Sequence, residues 1–119
     1  MAKTLITLAA LSLVALTTGC GESDTTTKGS CDGRAYELSA ESDKDHTEIS
    51  FELSSQTSGE TWQVVIDQDG ESILDTSTVT DEEGELDADV TVAASDDEST
   101  FTVTATPESG GPCTASIDH

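Results

Sequence analysis

Apolar residues recur at every second position through most of this chain, and that period constrains its fold more than any other feature. Ile49, Phe51 and Leu53 alternate with Glu48, Ser50, Glu52 and Ser54. Trp62, Val64 and Ile66 repeat the pattern, as do Leu86, Ala88, Val90, Val92 and Ala94, then Phe101, Val103 and Ala105, then Cys113, Ala115 and Ile117. Successive side chains of a strand point to opposite faces, so period two describes strands with one buried face. No window has the 3.6-residue period of a helical face. Tyr36 and Leu38 suggest a further strand at the start, and Ile73 to Val79 a less regular one in the middle.

Polar breaks separate these runs at Ser42–Asp45, Gln56–Glu60, Asp67–Glu71, Asp81–Glu85, Ser95–Ser99 and Pro107–Pro112. Six breaks make seven strands. Asp69-Gly70, between Ile66 and Ile73, reads as a hairpin turn because its glycine accepts positive φ. Cys31 to His119 is 89 residues, enough for one small domain. Short strands at even spacing predict an all-β antiparallel sandwich over 31–119.

This part resembles immunoglobulin-like domains. Trp62 falls on the third expected strand, where such domains often bury a tryptophan, and Asp97-Glu98-Ser99-Thr100-Phe101 resembles the acidic turn before the tyrosine corner of their sixth strand. Two departures are plain. Phe101 has no hydroxyl for the corner's hydrogen bond, and the cysteines lie at the ends of the domain, not on the second and sixth strands.

The N-terminus has a different character. Lys3 is followed by Leu5 to Leu16, apolar except for Thr7 and Ser12. A run of about 12 residues is too short for a membrane span of roughly 20, but suits the apolar region of a secretory signal. The stretch Leu16-Thr17-Thr18-Gly19-Cys20 resembles the lipobox of bacterial lipoproteins. The family usually has leucine three positions before the cysteine; here Thr17 holds that position and Leu16 is one further back. The resemblance implies a signal peptide over 1–19, cleavage after Gly19, and a mature chain that begins with diacylated Cys20. It places the protein on the extracytoplasmic side of the cell membrane, anchored through lipid. The chain has three cysteines. With Cys20 lipidated, Cys31 and Cys113 remain as a disulfide pair, which an exported compartment permits. The bond would close a loop of about 82 residues. Loop closure of that length contributes up to ~4.5 kcal/mol in the chain-entropy model. A thin core with four large aromatics, Tyr36, Phe51, Trp62 and Phe101, makes such a staple matter, so reduction is expected to lower the melting temperature sharply.

Residues 20–30 comprise the lipidated cysteine and Gly21 to Ser30 (GESDTTTKGS), which has no apolar residue and reads as a flexible tether. Without the signal, Lys28, Arg34 and Lys44 stand against 25 acids, a net charge of −22. That charge excludes nucleic acid as a partner, since its recognition needs a basic footprint. It also keeps the domain from lying flat on an anionic membrane, and favours a soluble monomer.

Two acidic stretches, Asp67-Gln68-Asp69-Gly70-Glu71 and Asp81-Glu82-Glu83-Gly84-Glu85-Leu86-Asp87, superficially resemble calcium loops. Neither has EF-hand spacing, so Asp67, Asp69, Asp81 and Glu83 are weak metal candidates beside the simpler reading of solvated turns. His46 and His119 have no second His or Cys at ligand spacing, and His46 reads as a surface residue. There is no Gly-x-Ser-x-Gly elbow, phosphate-cradling glycine loop or basic-aromatic patch. Trp62 and Phe101 lie on the apolar phase of their strands and read as core. The expectation is a membrane-anchored, non-enzymatic binding module for an envelope protein or small ligand, without cofactor. A sandwich that holds calcium or another cation in its acidic loops is the alternative.

Overall fold

A computed structural model describes Ser23–His119. The chain is all-β. Eight strands, β1 (Ser23–Cys31), β2 (Arg34–Ser42), β3 (His46–Ser54), β4 (Thr61–Gln68), β5 (Glu71–Val79), β6 (Glu85–Ala93), β7 (Thr100–Pro107) and β8 (Cys113–Asp118), form two four-stranded sheets. One sheet has the order β1-β2-β3-β6 and the other β5-β4-β7-β8, with every neighbouring pair antiparallel. The seven expected strands are all there, as β2 to β8.

The eighth, β1, lies where the polar composition suggested a tether. It pairs with β2 along its whole length, from Ser23 opposite Ser42 to Cys31 opposite Arg34. The turn between them is Asp32-Gly33, with φ of 52° and 78°. Asp69-Gly70, between β4 and β5, has φ of 53° and 89°. Both are two-residue turns with positive φ at each central position, the backbone twist that suits a hairpin. Ser23–Ser30 is therefore a correction to the tether reading: the hairpin partner, not burial of apolar side chains, orders it.

The apolar phases meet between the sheets. Leu38, Ala40, Ile49, Phe51, Leu53, Leu86 and Ala88 face Trp62, Val64, Ile66, Phe101, Val103, Ala105, Cys113, Ala115 and Ile117, all buried. β5 is the irregular strand: Ile73 and Leu74 are partly buried, and a bulge sits in its pairing with β4 between Ile66 and Asp67. Rows of the outer faces differ in charge. Across the first sheet, Lys28, Glu37, Glu52 and Asp87 stand side by side in register, and so do Asp24, Glu41, Glu48 and Thr91. Across the second, hydroxyls dominate, with Thr104 between Val65 and Thr114, and Thr102 between Asp67 and Ser116.

The sandwich has two ends. The Ser23 end carries the Ser42–His46 turn, the Asp69-Gly70 hairpin and the Ser95–Ser99 loop. Asp69 exchanges hydrogen bonds with Thr100, and Ser99 exchanges backbone bonds with His119. The Cys31 end carries the Asp32-Gly33 turn, the Ser55–Glu60 loop, the Asp81–Glu85 turn and the Pro107–Pro112 loop. A nine-residue strand such as β1 separates the two ends by roughly 30 Å.

Candidate functional site

Cys31 ends β1 and Cys113 begins β8, and the two are joined by a disulfide. Their Cα atoms are 5.8 Å apart, within the range such a bond spans without backbone movement. The bond ties the edge strand of one sheet to the edge strand of the other. Cys113 is buried and Cys31 is partly exposed. Cys20 lies outside the described residues.

The acidic candidates divide between the two ends. Asp67 and Asp69 are at the Ser23 end. Asp81 and Glu83 are at the Cys31 end, where Glu85 joins them with the three carboxylate groups within 4.8 Å of one another. The length of β4 separates the pairs by about 20 Å, so the two stretches do not converge on one site. Each set has a local job. Asp69 accepts a hydrogen bond from the Thr100 backbone at 2.9 Å, locking the hairpin against β7. Asp81 Oδ1 accepts from the backbones of Glu83 at 2.8 Å and Glu85 at 3.0 Å, which closes the turn. Gly84 completes that turn with φ of 81°, and its carbonyl accepts from both the backbone and hydroxyl of Ser55. A Cβ there would come within 2.6 Å of the Thr57 backbone nitrogen. The acidic turn is thus pinned to the preceding loop.

His119 is the residue that sequence reasoning missed. Its ring bridges the sheets at the Ser23 end: Nδ1 is 2.9 Å from Thr25 Oγ1 on β1, and Nε2 is 2.7 Å from Ser42 Oγ on β2. The Ser42 hydroxyl is also 2.7 Å from Thr47 Oγ1 on β3. A hydroxyl beside an imidazole is the first half of a nucleophile–base pair. The third member here is the neutral Thr25 hydroxyl, which cannot stabilise an imidazolium as a carboxylate does. The arrangement works as a polar latch between β1, β2 and the end of β8. An open depression of about 590 Å³ beside it is lined by Ser42, Lys44, Gln68, Ser99 and His119 among others. No sequence spacing signals this contact, because Thr25 and His119 are 94 residues apart.

His46 is exposed, and the turn before it is held by Asp43. The Asp43 carboxylate accepts from the backbones of His46 at 2.7 Å and Asp45 at 2.8 Å. These bonds favour the charged form and hold its pKa below the ordinary value, the His46 amide first. Trp62 is core, as expected from its phase, and fully buried. Its indole Nε1 donates to Glu60 Oε1 at 2.9 Å, and the Arg34 guanidinium lies 5.2 Å from the ring centroid. Phe101 is likewise buried. The chain matches no protein-family model, no curated protein and no solved structure.

Proposed function

We propose that this protein is a lipid-anchored, extracytoplasmic, non-enzymatic interaction module, held to the cell membrane through diacylated Cys20. The observation that carries the reading is the Cys31–Cys113 bond. It fits an oxidising compartment and leaves Cys20 as the odd cysteine of an exported chain. The lipobox-like run Leu16 to Cys20 supplies a use for it.

The strand order supports an immunoglobulin-like identity for β2 to β8. Counted from β2, the first, second and fifth strands share one sheet, and the fourth, third, sixth and seventh share the other. This differs from the seven-strand immunoglobulin arrangement in the sheet that carries the fourth strand, a variation within sandwich architectures. β1 is an addition at the edge beside β2.

On this reading the leash is short. Gly21 and Glu22 alone separate Cys20 from β1, so Cys20 lies within about 11 Å of Ser23. The Ser23 end faces the lipid and the Cys31 end faces outward. The surface offered to a protein or small-ligand partner is then the Asp32-Gly33 turn with the three loops beside it. Mass spectrometry of the mature N-terminus tests the anchor, with diacylglyceryl-Cys20 expected and an unmodified thiol counting against it. Crosslinking in intact cells from residues of the Cys31 end, set against residues of the Ser23 end, tests the orientation. Equal recovery of partners from both ends would contradict it.

The three gathered carboxylates of Asp81, Glu83 and Glu85 favour a second reading, in which the outward turn holds a divalent cation. Thermal melts with millimolar calcium, compared with an equal ionic strength of sodium chloride, separate the two. A rise specific to calcium and lost in Glu83→Gln would support the cation.

A further inference from the structure

β1 differs from the other seven strands in how it is held. The positions it turns toward the opposite sheet are Thr25, Thr27, Gly29 and Cys31. Cys31 is the one apolar side chain among them packed against the hydrophobic core, while Thr25 and Thr27 are partly buried and Gly29 is exposed. By contrast, the inward positions of β8 are Cys113, Ala115 and Ile117, all buried. Gly29 leaves room for the Tyr36 ring, whose hydroxyl oxygen would lie 2.6 Å from a Cβ at that position. Beyond its ladder with β2, β1 has a covalent bond to β8 at one end and the Thr25–His119 hydrogen bond near the other. Ordering a backbone residue costs about as much as a ladder hydrogen bond returns, so a strand without apolar burial depends on its fixings.

We propose that β1 is a releasable strand controlled by the Cys31–Cys113 disulfide. Exchange with a dithiol reductant detaches Ser23–Cys31 from the sandwich while β2 to β8 stay folded. The chemistry is a two-electron exchange. A thiolate of the dithiol attacks the sulfur of Cys31, the more exposed of the pair, and Cys113 leaves as a thiolate that takes a proton. The second thiol of the reductant then closes on the mixed disulfide, and Cys31 leaves and is protonated in turn. The reductant departs as its own disulfide. Where the chain is anchored, a consequence that rests on the reading of Cys20, release lengthens the leash. Gly21 and Glu22 become Gly21 to Gly33, thirteen residues that reach at most ~50 Å and about 20 Å as a coil. The composition that reads as a tether and the geometry of a strand are then two states of one segment.

Hydrogen exchange of the full mature chain, oxidised and after dithiothreitol with both thiols verified by alkylation, tests this. Amides of 23–31 are expected to exchange within about tenfold of unstructured rates after reduction, while those of β3, β4 and β7 keep at least ~100-fold protection. Protection of β1 equal to that of β3 in the reduced chain overturns the proposal, and so does loss of protection in all strands together. A second measurement uses Thr25→Val in the oxidised chain, where retained protection near Cys31 and faster exchange near Ser23 are expected. Unchanged exchange near Ser23 would remove the latch from the account. For reach, Trp62 lies at the Cys31 end, far from the lipid while β1 is docked, and the released leash joins the sandwich beside it at Arg34. Energy transfer from Trp62 to a headgroup acceptor in phosphatidylethanolamine–phosphatidylglycerol vesicles should therefore rise on reduction. Unchanged transfer with Cys20 acylated and β1 released refutes the lengthened leash. An unmodified Cys20 refutes the anchor and leaves release to be decided by exchange alone.

Discussion

Glu52 sits in the middle of the first sheet's outer face with Glu37 opposite on one side and Asp87 on the other. Like charges placed directly across a ladder destabilise it, and opposite charges stabilise it by roughly 0.2–1 kcal/mol per pair. Among the described residues the one side-chain ion pair is Arg34–Asp32 at 3.9 Å. The row's single cation, Lys28, stands opposite Glu37 two strands away from Glu52, so no cation is paired with Glu52. Glu52→Gln removes two repulsions, and Glu52→Lys converts them into two attractions. Allowing for solvent screening, the gains are about 0.5 kcal/mol for Gln and about 1 kcal/mol for Lys at low salt. For a domain of this size that raises the melting midpoint by roughly 2–4 °C and 4–8 °C. Urea denaturation at 10 mM and at 0.5 M sodium chloride gives the check. The gain should shrink severalfold at high salt as the screening length falls below the strand spacing, with the slope against urea unchanged. A Glu52→Lys chain no more stable than the parent at low salt would refute the reasoning. A gain of equal size at both salts would show that something other than charge produced it.

Gly84→Ala should destabilise by roughly 2–4 kcal/mol, since it adds a left-handed residue with a Cβ to a turn that presses on Gln56 and Thr57; equilibrium unfolding reads this, and Gly33→Ala, with open space around its Cβ, should cost less. Trp62→Phe should lose about 2 kcal/mol, through the Glu60 hydrogen bond, the Arg34 stacking and lost volume, while keeping the fold by circular dichroism. Because Asp43 has a lowered native pKa, its contribution is present above the unfolded-state value and is lost as pH falls through the native one. The stability difference between the parent and Asp43→Ala should therefore be full at neutral pH and close in strong acid. Nuclear magnetic resonance titration should place the Asp43 carboxyl below an unfolded-chain aspartate.

Most of the architecture was legible because it rests on alternation. Trp62-Val64-Ile66 and Phe101-Val103-Ala105 state their buried face in their own spacing, and the structure buries each of them. β1 was not legible by that route, since Thr25, Thr27 and Gly29 carry no apolar contrast. Its signal was the Asp32-Gly33 dipeptide, the same chemistry that marks Asp69-Gly70, placed directly after a threonine-rich run. Pairing with β2 supplies the order that composition denied. Candidate sites were less legible. Two acidic stretches look equivalent in sequence, yet register sends Asp67 and Asp69 to one end and Asp81, Glu83 and Glu85 to the other. The His119 latch depends on where β1 and β8 come to lie, which no local spacing encodes.

The ladder between β1 and β2 also has a mechanical meaning. Its hydrogen bonds run across the strands, and β1 begins at Ser23 and ends at the covalent bond to β8. A pull applied between Ser23 and the Cys31 end acts along β1. The ladder bonds then share the load in shear and do not open one at a time. Force that did slide the strand would arrive at Cys31 and pass into β8. The disulfide makes a strand with little apolar burial a strap fastened at its far end, and the extension released under tension is limited to that one segment while the bond holds.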